Sequence, residues 1–327
     1  MIHDPVAQAD LLLARGRIGD AVALIEQQAR SGNVDAMFRL AVWTLSGSPI
    51  PRDLPKARAI LRQATSMGSP DAALVEIALT GNGSGAPADW SRARTLLNET
   101  AETDDNAARH RTLLDKMPLT DDGFPIASQP AQTIGTDPEV RHIPRLFTQA
   151  ECLHIAQCAA DMLQPATVAD PRTGRNVANP VRTSDGAVIG PTRETLVVQA
   201  LNRRLAAVTG TDWRQGEALS VLRYQPGQQF RPHVDALPAT GNQRIRTVLV
   251  YLNDGFAGGA TYFVNNALRV TPRTGDAIIF DNVRADGSID PATQHAGEPV
   301  TAGVKWLATR WIRARPFSVW TGPEIAA

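Results

Sequence analysis

Cysteine is scarce. Only Cys152 and Cys158 occur in 327 residues, so no disulfide framework holds the chain together. They lie six residues apart in one helical stretch, where they point in different directions, and a reducing compartment is expected. Neither sign of charge is in excess. The 33 Lys and Arg balance the 33 Asp and Glu, which argues against a nucleic-acid coat or a membrane-surface binder, since both need a basic surplus. No apolar run approaches the ~18 residues that cross a bilayer. The segment Leu11-Leu12-Leu13-Ala14, preceded by acidic residues, is too short for a signal peptide. No nucleic-acid or membrane partner is expected, and the expected location is cytoplasmic. What the chain does have is apolar content. At 43% hydrophobic it can bury a core in each of two domains, taking ~100–200 residues per domain.

The first third repeats. Shifted by 36, the chain aligns Ala21 with Ala57 and Ala93, and Ile25 with Leu61 and Leu97. Asp53 matches Asp89, Gly32 matches Gly68, and Asp35-Ala36 matches Asp71-Ala72. Within each unit the apolar residues recur at three and four, as in Met37, Leu40, Ala41 and Leu45. A turn such as SGSPIPRD or GNGSGAPAD separates two helices, and small Ala at matched positions lets them approach closely. This pattern, over roughly residues 17–110, resembles the Sel-one-like branch of the tetratricopeptide repeats. Such stacks form a continuous surface that commonly binds partners; an ordinary helical cap is the alternative. Residues 116–140 carry four prolines and no periodicity and read as a linker or a surface arm.

Thr148-Gln149-Ala150-Glu151 has the form of a capping box opening a helix. From about residue 165 short β-rich segments alternate with Gly, Pro and Asn turns, as in ALSVLRY, RIRTVLVYL, ATYFV, DAIIF and VKWLATRWI. Asn265-Asn266 predicts a tight hairpin turn. Among these segments lies His233-Val234-Asp235. On a strand, residues i and i+2 share a face, so an imidazole nitrogen and a carboxylate oxygen can grip one ion. His295, 60 residues on, offers a third ligand. Two His and one carboxylate with open positions suit non-haem Fe(II). The same ligands suit zinc, although no HExxH helix motif is present.

The stretch SVLRYQPGQQFRPHVDAL, then NQRIRTVLVYLND, GGATYF, VTPRTGDAIIF and DGSIDPATQHAGEPVTAGVKWLATRWI, resembles the prolyl 4-hydroxylase family of Fe(II)/2-oxoglutarate oxygenases. The likeness runs from about Val140, through Val181–Gly186, to about Arg315. It implies Fe(II) held by His233, Asp235 and His295, with these as the catalytic centre. It implies Lys305 paired to the distal carboxylate of 2-oxoglutarate, with Tyr224 and Thr261 as hydroxyl donors. Arg182, Ser184, Arg244 and Trp311 match substrate-side positions. Phe230 stands where the family often has Tyr, which removes a hydroxyl near the substrate. O2 is the implied oxidant, with ascorbate as an optional reductant.

The fold expected is α+β and multidomain. Residues 1–115 form a helical repeat domain, 116–140 a Pro-rich linker, and 141–327 a double-stranded β-helix (jelly-roll) oxygenase domain. The function implied is hydroxylation of a peptidyl side chain, proline first, on a protein or peptide docked on the repeats, with release of succinate and CO2. A small-molecule or free amino-acid oxygenase and a non-catalytic scaffold are the alternatives. The complete triad with Lys305 speaks against the scaffold. His3, His110, His142 and His154 have no partner at useful spacing and are expected to be structural. The GNGSG segment lacks a phosphate loop's strand and its Gly-Lys-Ser/Thr.

Overall fold

The 36-residue period becomes a series of helix starts. The computed structural model describes residues 4–169, 176–238 and 240–321. Seven helices open the chain: α1 Pro5–Ala14, α2 Ile18–Arg30, α3 Val34–Ser46, α4 Leu54–Ser66, α5 Pro70–Asn82, α6 Trp90–Thr100 and α7 Asp105–Asp115. The starts of α2, α4 and α6 recur at the expected interval, as do those of α3 and α5. Asn33, Asp53, Ser69, Asp89 and Asp104 each cap their helix, the side chain accepting from the backbone N–H three residues on. Each such cap contributes ~1 kcal/mol. Gly47 and Gly83 end α3 and α5 in the left-handed region, at φ 78 and 77. A Cβ on Gly83 would stand 2.9 Å from the Ala88 nitrogen. The matched Ala21, Ala57 and Ala93 are all fully buried, with Ile25, Leu61 and Leu97 beside them. Each of these three large side chains contributes ~1.5–3 kcal/mol by burial.

The chain divides into two compact units. The first comprises Met1–Met117, Asp121–Gly123 and Pro191–Gln199; the second comprises Pro118–Thr120, Phe124–Gly190 and Ala200–Ala327. Within the first, Gln199 Nε2 donates to the Ala78 carbonyl at 2.9 Å, and Asn82 Nδ2 to that of Pro191 at 2.9 Å. Gly81 makes this approach feasible, since a Cβ there would lie 2.6 Å from Gln199 Oε1. The first glycine of GNGSG thus serves packing.

The second unit is built of strands: β1 Gln132–Thr136, β2 Glu139–Ile143, β3 Gln164–Pro165, β4 Thr167–Ala169, β5 Asn176–Ala178, β6 Asp185–Ile189, β7 Leu219–Tyr224 and β8 Phe230–His233. There follow β9 Arg244–Tyr251, β10 Phe256–Gly258, β11 Thr261–Phe263, β12 Leu268–Val270, β13 Ala277–Asp281, β14 His295–Gly297, β15 Val300–Gly303 and β16 Lys305–Arg313. An eight-stranded sheet has the order β1-β2-β13-β9-β16-β7-β6-β3, and a four-stranded sheet the order β12-β11-β14-β8. Leu222, Leu249, Tyr251, Phe280 and Leu307 from the large sheet meet Phe263 and Val270 from the small one in one core. This is the expected double-stranded β-helix. Helix α8, Gln149–Ala160, accompanies it, as does α9, Leu196–Thr209, from Ala200 onward. The Thr148–Glu151 capping box is present at α8.

Two local expectations change. The stretch 116–140 is more than a linker, because β1 and the start of β2 fall inside it. Its prolines lie outside Gln132–Thr136, so a short strand pairs undisturbed between them. The turn at Asn265-Asn266 is not a two-residue one. Phe263 pairs with Leu268, which leaves four loop residues, and the positive φ, 54, falls on Ala267. Among the described residues no helix is long and apolar enough to cross a membrane. Residues 1–3, 170–175, 239 and 322–327 of the expected domains, His3 included, lie outside the described residues.

Candidate metal centre and co-substrate pocket

Antiparallel pairing of β8 with β14 sets His233 directly opposite His295. Their rings lie 4.4 Å apart, centre to centre. Asp235 follows just past the end of β8. One ligand atom from each of the three lies within 4.8 Å of the others. The Nδ1 atoms are already engaged: His233 Nδ1 lies 2.9 Å from the Arg231 carbonyl and His295 Nδ1 3.0 Å from that of Thr293. A carbonyl only accepts, so Nδ1 carries the proton and Nε2 keeps its lone pair. Those Nε2 atoms face the carboxylate, His233 at 3.6 Å from Oδ1 and His295 at 3.8 Å from Oδ2.

The electrostatics suit a cation. Burial and the neighbouring His295 push the His233 pKa down to about 4, so the ring is neutral at pH 7. Burial alone would raise the Asp235 carboxyl, but His295, His233 and the Thr247 hydroxyl outweigh it and hold it ionised. A neutral imidazole at His233 and an ionised carboxylate at Asp235 are protonation states a divalent metal needs in its ligands. Phe230 lies flat on His233, ring centres 3.5 Å apart and planes at 12°. Phe263 and Phe280 flank His295.

Lys305 opens β16 opposite Tyr224 and is 2% exposed. Its ammonium donates to the Gly259 carbonyl and sits near the rings of Tyr224, Tyr251 and Phe256, 5.1–6.0 Å from their centres. Among the described residues no carboxylate pairs with it. Burial pushes its pKa down to about 7. A buried cation lacking a counter-charge is costly unless an anion arrives. Thr261 on β11 exchanges a hydrogen bond with the Tyr251 hydroxyl. Burial raises both Tyr224 and Tyr251 well above the usual phenol range, so both remain donors.

One cavity collects these groups. His233, Asp235, His295, Lys305, Tyr224 and Thr261 line it, with Phe230 and Trp311 in its wall. The structure does not bring the other three expected substrate-side residues to this lining. Ser184 is fully buried and has no surface to offer a peptide. Arg182 is bridged to Phe230 across the backbone and holds its guanidinium 5.8 Å from that ring. Arg244 grips Glu217 through Nε and Nη2 at 2.6 and 2.8 Å and lies 3.9 Å over the Trp311 ring. It reaches the cavity only through Trp311. His142 is structural, 3.0 Å from Asp276.

Leu307 and Thr309 also line the cavity and were not foreseen. Strand alternation would have found them, since 305, 307, 309 and 311 share one face of β16. Tyr251 and Thr247 follow from the same alternation on β9.

Comparison with known proteins agrees with this geometry. Residues 219–313 match the model of the 2OG-Fe(II) oxygenase superfamily, a segment that holds the three candidate ligands and Lys305. That class uses Fe(II), 2-oxoglutarate and O2. Prolyl 4-hydroxylase 1 of Arabidopsis thaliana is 32% identical over 206 residues, 57% of this chain and 73% of the relative. Probable prolyl 4-hydroxylase 6 of the same plant is 36% identical over 205 residues, 53% and 70% of the two chains. The viral collagen prolyl hydroxylase of Paramecium Bursaria Chlorella virus-1, solved with 2OG, is 25% identical, with a TM-score of 0.44 over 54% of this chain and 96% of its own. The chain belongs to the prolyl 4-hydroxylase family of 2-oxoglutarate-dependent dioxygenases.

Proposed function

We propose that this enzyme hydroxylates proline in a peptide or protein, converting 2-oxoglutarate to succinate and CO2. One observation carries the reading. A metal triad, a buried lysine with no carboxylate partner among the described residues and a flat apolar wall share one cavity. His233, Asp235 and His295 would hold Fe(II): their free Nε2 atoms and ionised carboxylate fit its donor preference. Lys305 would pair with the distal carboxylate of 2-oxoglutarate, and Tyr224 and Thr261 would donate hydrogen bonds to the same molecule. When bound, iron and co-substrate supply the activation of dioxygen that C–H hydroxylation needs. The chain's part is to orient both, to shield them behind Phe263, Phe280 and Leu249, and to offer Trp311 and Phe230 as surfaces for a pyrrolidine ring.

The 36-residue helical repeats would supply a docking face for a protein substrate, in a domain distinct from the oxygenase domain. Cys152 and Cys158, both in the thiol form, suit a reducing cytoplasm. The test incubates the purified protein with Fe(II), 2-oxoglutarate and either a proline-rich peptide or free L-proline. Succinate formation coupled to a +16 Da shift on a peptidyl proline, lost in His295→Ala, is expected. Hydroxylation of free proline alone would overturn the peptidyl reading.

A further inference from the structure

We infer that Thr247 and Asn282 are positioning residues of the metal site, fixing the Asp235 carboxylate and tying it to the loop that orients His295. The inference rests on the proposal that His233, Asp235 and His295 are the metal ligands. Thr247 lies on the central strand β9, in register with Trp311 on one side and Phe280 on the other. It is fully buried. An apolar β-branched residue would pack equally well there, so its hydroxyl calls for a reason. The hydroxyl donates to Asp235 Oδ2 at 2.7 Å. Its one proton is thereby used, and it accepts from Asn282 Nδ2 at 2.9 Å.

Asn282 is also fully buried and links two regions. Its backbone N–H donates to the Ile245 carbonyl on β9, and its own carbonyl accepts from Asp290 N. The Asp290 carbonyl accepts from the Thr293 hydroxyl at 2.6 Å. The Thr293 carbonyl in turn holds His295 Nδ1 at 3.0 Å. A continuous hydrogen-bonded path therefore runs from the Asp235 carboxylate through Thr247, Asn282, Asp290 and Thr293 to the His295 imidazole. It restricts rotation of the carboxylate and of the ring together. Partners of this kind typically alter metal affinity about 10–100-fold when removed.

The test titrates the full-length protein with Co(II) and follows its ligand-field absorption. Thr247→Val keeps the shape and removes the hydroxyl. Co(II) affinity is expected to fall about 10–100-fold with a shifted spectrum, and Thr247→Ser to restore both. Thr247→Val with wild-type affinity and spectrum, whatever its melting temperature, would overturn the clamp. His295→Ala separates the two levels: if it binds Co(II) as the wild type does, the ligand assignment fails and the clamp with it. Loss in His295→Ala with none in Thr247→Val removes the clamp alone. Should Thr247→Val not fold, Asn282→Ala carries the same expectation, and unchanged Co(II) affinity there overturns the inference.

Discussion

The Lys305 ammonium donates to the Gly259 carbonyl at 2.6 Å inside a box of three aromatic rings. Burial brings its pKa from 10.5 to about 7. Because the value is depressed, the free enzyme carries ammonium below about pH 7 and neutral amine above it. The co-substrate dianion needs the ammonium. Its apparent Kd should therefore be lowest at and below pH 7 and rise about tenfold per unit above it, until the higher pKa of the bound state is reached. Calorimetric titration of 2-oxoglutarate from pH 6.5 to 8.5 would show this, with proton uptake on binding. A flat Kd would mean that Lys305 is charged throughout.

Lys305→Met removes the charge but keeps the bulk. An unpaired buried carboxylate costs ~3–5 kcal/mol, so KM for 2-oxoglutarate should rise by about two to four orders of magnitude. Co(II) affinity should stay as in the wild type. A rise in KM below about tenfold would return Lys305 to a structural role.

Which parts were legible in the sequence follows the range of the interactions. Helix starts and the Ala21, Ala57 and Ala93 core follow from local period and caps. Strand alternation pairs His233 with Asp235 in the sequence, although β8 ends at His233 and Asp235 lies just beyond it. His295 is different: the sequence offers it as a third ligand and the family likeness supports it, but only the register between β8 and β14 brings it opposite His233, 62 positions away. Ser184, Arg182 and Arg244 lie off the cavity lining for a related reason. Whether a polar side chain faces a cavity or a buried partner depends on long-range packing, and Glu217 captures Arg244 from 27 residues away. Asn282 had no local signal, being a partner of Thr247 from 35 residues away. β1 was hidden because its flanking prolines read as loop.

Arg244→Lys tests the wall of the cavity. Lysine keeps the charge but loses both the fork on Glu217 and the planar stack on Trp311. A cation–π contact contributes ~0.5–2 kcal/mol, so KM for a peptide substrate should rise about 2–30-fold while Kd for 2-oxoglutarate stays constant. Steady-state kinetics with each substrate varied in turn would check it. An equal change in both constants would point to general loosening of the sheet.

The two thiols should differ in reactivity. Cys152 is fully buried, and burial pushes its pKa up to about 12. At pH 8 only about one molecule in 10⁴ would hold it as thiolate. Cys158, on the same helix, is partly exposed. Alkylation of the native protein should modify one thiol per chain, mapped to Cys158 by peptide mass, and both after denaturation. Early modification of Cys152 would show that α8 opens readily.

Phe230 bears on both metal and substrate, and two variants separate the roles. Its ring covers His233, and an aromatic stack of this kind contributes ~0.5–1.5 kcal/mol. Phe230→Ala should free the imidazole and lower Co(II) affinity about tenfold or less. Phe230→Tyr keeps the stack and adds a hydroxyl at the ring's far edge, so Co(II) and 2-oxoglutarate affinities should change less than twofold. If the substrate peptide passes over this ring, the new hydroxyl can donate to one of its carbonyls. One added hydrogen bond is worth ~0.5–1.5 kcal/mol, so KM for the peptide should fall about 2–10-fold. Metal titration and peptide kinetics on the two variants together decide the matter. An unchanged peptide KM in Phe230→Tyr, beside weakened Co(II) binding in Phe230→Ala, would confine Phe230 to holding His233 in place.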